Sequence, residues 1–176
     1  DDFEAMERLL RQAADDCDLV VSSGSTSASA VDVIYRVIEE RGELLLHGVA
    51  VKPGKPMVVG RIDQSGSDDD ETAAEPSDTA QSAYIGLPGY PVSALTIFRV
   101  FVAPAIRAAA GQPEPTTATV DGELIAQQRH DEGRLRLLSV ALIEDADGSP
   151  LVYPVDKGSG ATTSLVDADG VVAIDP

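Results

Sequence analysis

The order of amphipathic and apolar segments up to Gly111 restricts the chain to an α/β fold. Asp1 to Cys17 puts Phe3, Met6, Leu9, Leu10, Ala13 and Ala14 on one helical stripe, with Asp1 and Glu4 at capping-box positions and Cys17 on the core side. Asp18 to Ser22 follows as a short apolar strand. After the polar loop Ser23-Gly24-Ser25-Thr26-Ser27 comes a second helix carrying Val31, Ile34, Val37 and Ile38, which Gly42 stops. Glu43 to Val51 reads as one apolar strand, Met57 to Gly60 as another and Ala83 to Leu87 as a third. Pro91 then opens a long apolar helix that runs to about Ala110. Helices and strands taking turns in this way make a sheet covered by helices, and 43% apolar composition is enough to fill its core.

The region from Asp63 to Ser82 holds seven carboxylates and no base. It is expected to be a disordered surface loop inserted between two strands of one domain. Gly111 and Pro113 end the long helix and mark the expected boundary, giving an α/β domain over 1–112 and a small β-rich domain over 113–176. In the second domain, Thr116 to Gln127, Leu135 to Glu144 and Leu151 to Val155 read as strands, with a turn at Asp147-Gly148. The small-residue loop Gly158 to Thr163 reads as a plain connection or a ligand loop.

Thirty acidic residues against 13 basic ones give a formal net charge of -17. Phosphate backbones and anionic lipid surfaces are repelled by such a chain, so nucleic acid and membrane surfaces are excluded as non-specific partners. The acidic, lysine-poor surface is what a protein working in concentrated salt is expected to carry. Cys17 is the sole cysteine, which excludes an intramolecular disulfide and a cysteine-based zinc site. His47 and His130 are isolated and have no metal-site spacing. No apolar run approaches membrane-spanning length and no signal peptide is visible, so a cytoplasmic setting is the expectation.

Against this acidity, two of the three lysines stand three positions apart in Lys52-Pro53-Gly54-Lys55-Pro56. Taken alone, the pentapeptide reads equally as a Pro-Gly turn with solvated lysines or as an anion site. The loops Ser22 to Ser29, Lys52 to Pro56 and Gly86 to Pro91 all follow expected strands. In an open parallel sheet, loops at the carboxyl ends of strands share one edge and form the binding crevice. Ser23, Gly24, Ser25, Thr26 and Ser27 offer hydroxyls and N–H groups at the start of a helix, where an anion is favoured. Asp32, inside that helix, reads either as a magnesium ligand or as a solvated acid in the first turns.

These stretches, Asp18 to Ser27, then Asp32, then Val51 to Pro56, then Gly86-Leu87-Pro88-Gly89-Tyr90-Pro91-Val92-Ser93-Ala94, resemble in order and spacing the molybdopterin molybdenumtransferases, which include the gephyrin E domain. Gly158-Ser159-Gly160 with Leu165 and Ala168 to Val172 resembles the end of that family's small barrel-like β domain. The resemblance implies a partial parallel-sheet molybdopterin-binding domain followed by that β domain. It implies insertion of molybdenum from molybdate into adenylylated molybdopterin with release of AMP, aided by Mg2+, in a homodimer. It further implies that Ser23, Gly24, Ser25, Thr26, Ser27, Pro53, Gly54, Gly86, Pro88, Gly89, Pro91 and Ser93 contact the pterin nucleotide. Asp32 is then the residue at the metal or the scissile pyrophosphate, and Lys52 and Lys55 neutralise oxyanion charge. A different class of function, a non-catalytic molybdopterin carrier, sensor or scaffold, fits the same loops.

The chain departs from the family pattern at three positions. Ser25 and Ser29 stand where the family has glycines, and Tyr90 stands where it has asparagine, so side chains intrude where backbone usually approaches the ligand. The family domain also opens with a strand and a Thr-Gly-Asp-Glu-like loop before the first helix, so this sequence is expected to be the C-terminal portion of a longer protein.

Overall fold

A computed structural model describes residues 2–24, 28–64, 80–128, 133–158 and 161–176. The chain divides into two compact units, one formed by Asp1–Val49 and Pro56–Gly89, the other by Ala50–Lys55 and Tyr90–Pro176.

In the first unit, helix α1 (Asp2–Asp16) leads into strand β1 (Leu19–Ser23), and helix α2 (Ala28–Arg41) into strand β2 (Gly42–His47). After the second unit's short strand β3 (Val51–Lys52), strands β4 (Val58–Asp63) and β5 (Gln81–Leu87) complete a four-stranded sheet in the order β1-β5-β4-β2. β1 lies parallel to β5, and β4 runs antiparallel to both β5 and β2. The sheet is therefore mixed, with β1, β5 and β2 pointing one way. β4 reverses because it pairs β5 as a long hairpin, closed by the bond from Gln64 N to Ala80 O at 2.9 Å. Most of the acidic insertion, 65–79, lies outside the described residues. Its flanks belong to the two hairpin strands.

The α1 and α2 stripes pack on one face of this sheet. Leu10, Ala14, Ile34, Val37 and Ile38 meet Val58, Ile62 and Tyr84, with Val20 packed alongside. Val37, Ile38, Ile62 and Tyr84 have no exposed surface, and each such side chain contributes about 1.5–3 kcal/mol through burial. A Cβ on Gly60 would lie 3.0 Å from Ile38 Cδ1, so glycine lets α2 settle close to β4. At the helix ends, Arg41 Nη2 donates to Asp15 Oδ1 at 2.6 Å and to Asp63 O at 2.7 Å. Arg11 spans the two helices, bonding Glu7 at 2.9 Å and also Glu40.

Several expectations change here. Leu9 is 65% exposed because it falls at the margin of the α1 stripe, which Leu10 and Ala14 carry inward. Cys17 is exposed, because α1 ends one residue before it. The strand expected over Glu43 to Val51 breaks at Gly48, whose φ of 83° turns the chain and whose N–H donates to Met57 O at 2.7 Å. Phe3 and Val31 have undescribed side chains, and Asp1 lies outside the described residues.

In the second unit, β3 lies parallel on β7 (Leu135–Glu144), which pairs antiparallel with β8 (Pro150–Pro154) and β9 (Gly170–Ile174). β6 (Glu123–Leu124) adds to β8. Leu138, Val140 and Val152 form its core, with Val172 and Ile174 packed against them. The turn between β7 and β8 uses Gly148 at φ 79°, and Asp145 Oδ1 accepts from Asp147 N at 2.9 Å and Ser149 N at 2.8 Å. Of the strand expected over Thr116 to Gln127, only Glu123–Leu124 pairs. The preceding stretch is exposed and carries no alternation to hold it on a sheet.

The apolar helix α3 runs Pro91–Ala109. It is 19 residues long with an 18-residue window of mean hydropathy 1.5, so by length and composition it is long and apolar enough to cross a membrane, which corrects the expectation of no such run. Its continuity depends on a π turn over Phe98–Val102, where Ala103 N bonds to Phe98 O. Pro104 has no N–H, and its ring would crowd the preceding turn; the wider π turn accommodates it.

Candidate functional site

The register of β1 on β5 sets the first half of the candidate site. Ser22 pairs with Gly86 and Ser23 with Leu87, so the serine loop and the Gly86–Gly89 loop leave the sheet side by side. Gly24 stands at φ 84° with open space where a Cβ would point. The backbone at Gly24 itself is therefore free of side-chain cover. Ser23, Gly24 and Gly89 are exposed, whereas Gly86 and Pro88 are buried and shape the loop from below. Ser22 Oγ and Tyr84 Oη are 2.5 Å apart, a hydroxyl pair directly under this edge. Ser25, Thr26 and Ser27 lie outside the described residues, and Asp32 is on α2 with an undescribed side chain.

β2 ends at the same edge. His47 pairs with Val58, Val58 with Gly86 and Gly86 with Ser22, so one row crosses the whole sheet. Three of the four strands therefore end there, and β4 begins there. The lysine segment leaves the sheet after β2 and returns before β4.

That segment belongs to the second unit. Val51 pairs with Leu135 and is 6% exposed, and Leu135 N donates to Ala50 O at 2.9 Å. Lys52 and Lys55 are exposed on either side of the buried Gly54, and the Lys52–Pro53 bond is cis. Gly54 has φ 126°, and a Cβ there would come within 2.3 Å of Ile97 Cδ1 and Cγ1 on α3. The turn is thus seated on the first turns of the helix that Pro91 opens. Tyr90 caps that helix in extended conformation and is 65% exposed, and Ala94 N donates to Tyr90 O at 2.9 Å. Ser93 is 5% exposed.

Sequence reasoning missed Arg136. The register of β3 on β7 places it opposite Lys52, so two basic residues pair across these strands in a chain of net charge -17. The signal was the Arg134-Leu135-Arg136 alternation at the start of a strand, but nothing local connects it with the lysine turn. His130, Ser159 and Gly160 lie outside the described residues. Gly158 N donates to Asp156 Oδ1 at 2.8 Å and Lys157 N to the buried Ser164 Oγ at 2.9 Å, leading into a short helix α4 (Thr163–Val166).

Among the described residues, no group of three His, Cys, Asp or Glu side chains is arranged to hold a metal ion. A lone carboxylate such as Asp32 suits Mg2+ only when phosphate oxygens and water supply the other ligands.

Comparison with known proteins matches most of the chain, in two segments whose bounds differ from those of the compact units. Residues 1–108 match the family described as "Probable molybdopterin binding domain", and residues 122–176 match the MoeA C-terminal region (domain IV). Molybdopterin molybdenumtransferase 2 of Mycobacterium tuberculosis is 31% identical over 161 residues, covering 87% of this chain and 35% of that protein. The molybdenum cofactor synthesis protein cinnamon of Drosophila melanogaster is 35% identical over 112 residues, or 63% of this chain and 16% of that protein. A solved molybdopterin biosynthesis MoeA protein from Pyrococcus horikoshii superposes with a TM-score of 0.64 at 34% identity, covering 99% of this chain and 37% of that one. The chain thus spans about a third of the length of the Mycobacterium and Pyrococcus proteins it matches. The chain belongs to the molybdopterin molybdenumtransferase family.

Proposed function

We propose that the chain acts in molybdenum cofactor biosynthesis, binding adenylylated molybdopterin and molybdate so that molybdenum enters the dithiolene and AMP leaves. The observation that carries this reading is the pairing of Ser23 with Leu87, which sets the serine loop beside the Gly86–Gly89 loop at a common strand edge. N–H groups of Ser23 and Gly24, which lead from β1 toward α2, are assigned to phosphate, an anion that the start of a helix favours. Lys52 and Lys55 are assigned to the oxygens of molybdate and of the leaving phosphate. Fixed cations there stabilise the charge that grows as the phosphoanhydride breaks, without reorganising at that moment. Arg136, opposite Lys52 in the strand register, adds to this positive charge. Asp32 is assigned to hold Mg2+ against the phosphates, where the ion supplies charge neutralisation.

The test is AMP release. Purified chain in potassium chloride with magnesium is loaded with adenylylated molybdopterin, and molybdate is then added. Stoichiometric AMP release dependent on molybdate supports the insertion reaction. Tight binding without release assigns the chain to carriage of the pterin nucleotide, and absence of binding by the folded chain overturns the proposal.

A further inference from the structure

His47 is the one residue of the edge row that is both exposed and able to hydrogen-bond through its side chain from β2. Its orientation comes from a bulge. Glu43 pairs with Arg61 and Leu44 with Gly60, but Leu46 pairs with Val59, leaving Leu45 as the extra residue. Bulges re-aim the side chains that follow them. Here the insertion puts His47 on the same face as Val58, the face that α2 covers, instead of one step beyond it. Tyr35 of α2 then meets it, the two rings 5.4 Å apart and inclined at 73°, edge to face. Tyr35 Oη is buried without a hydrogen-bond partner, and burial pushes its pKa up. A buried, unpaired hydroxyl is unfavourable, so the ring contact rather than the hydroxyl holds Tyr35 in place.

From this arrangement we infer that His47 contacts the heteroaromatic end of the pterin nucleotide and that Tyr35 is its positioning residue. The inference rests on the function proposed above. β2 lies three strands from β1, about 14 Å at ordinary strand spacing. That is the scale of a whole pterin nucleotide and too far for the phosphate group held at Ser23 and Gly24. An imidazole with one flank fixed by Tyr35 presents its remaining edge and face to solvent. It offers a donor, an acceptor and a flat surface, which match the ring edge and face of a pterin and have no counterpart in the phosphates; the adenine of AMP offers the same chemistry, so AMP is the control that separates the two rings.

Two ligands separate the possibilities: adenylylated molybdopterin and AMP alone, each titrated calorimetrically against wild type, His47→Ala, Tyr35→Phe and Tyr35→Leu. The expected result is at least a tenfold loss of affinity for adenylylated molybdopterin in His47→Ala, with AMP affinity unchanged and the unfolding midpoint lowered only slightly by the lost ring contact. Tyr35→Phe, which keeps the ring and removes the unpaired hydroxyl, is expected to retain affinity and to raise the unfolding midpoint. Tyr35→Leu is expected to lose affinity severalfold. In wild type, the His47 ring resonances should shift with adenylylated molybdopterin and stay in place with AMP. Wild-type affinity in His47→Ala, or an equal loss for both ligands, overturns the inference while leaving the proposed function standing. Failure of wild type to bind adenylylated molybdopterin overturns both.

Discussion

Replacing Lys52 and Lys55 together by alanine is expected to lower affinity for adenylylated molybdopterin by at least a hundredfold while leaving the fold intact. Both side chains are exposed, and the turn between them is held by other groups: Val51 on β7 and Gly54 against Ile97. Removing them therefore takes away charge without opening a cavity. A hydrogen bond to a charged group contributes about 1.5–3 kcal/mol, so two lost contacts cost about 3–6 kcal/mol, or two to four orders of magnitude. Calorimetric titration checks the affinity, and unchanged thermal unfolding checks the fold. The loss should be steeper at low salt, because the remaining surface is strongly acidic and repels an anion once the local cations are gone. A double variant that binds as wild type does would remove the lysine turn from the site.

Gly54→Ala is expected to damage the same site from beneath. Its Cβ would fall 2.3 Å from two atoms of Ile97, in a backbone conformation with φ 126°. Overpacking a buried contact costs about 1–3 kcal/mol, and a non-glycine residue with left-handed backbone costs about 1–2 kcal/mol more. The expected loss is about 2–5 kcal/mol of stability in urea unfolding. Because Ile97 sits about two turns into the helix that Pro91 opens, relief of the clash moves the lysine turn, and ligand affinity should fall as well. Gly148→Ala is the control, since Gly148 has φ 79° but nothing within 4 Å of its would-be Cβ. It should show only the backbone cost and no change in affinity.

The elements that depend on local pattern were legible before any coordinates. The stripe of Ile34, Val37 and Ile38 gave α2, and Gly42 ended it where expected. The strand over Leu135 to Glu144 was legible residue for residue, because it is rich in Leu, Val and Ile and is followed by the Asp147-Gly148 turn signal. What stayed hidden depends on pairing between distant segments. Nothing in Met57 to Gly60 says that β4 runs against its neighbours, since direction leaves no mark on hydropathy. Val51 and Lys52 read as the tail of the preceding strand, yet they pair with β7 in the other unit. Arg136 joined the lysines only through that register. Chemistry of the site was legible as three loops following strands; two of them meet at one sheet edge by direct pairing, and the bulge that turns His47 inward carries no sequence signature beyond three adjacent leucines.

The most direct measurement is amide chemical-shift mapping of the 18.4 kDa chain during titration with adenylylated molybdopterin in potassium chloride and magnesium. The account predicts saturable shifts at Ser23 and Gly24, at Gly86 to Gly89 and at Lys52 to Lys55, with one common dissociation constant. Shifts that leave Ser23, Gly24 and Lys52 to Lys55 unmoved and gather on β6, β8 or β9 would contradict it.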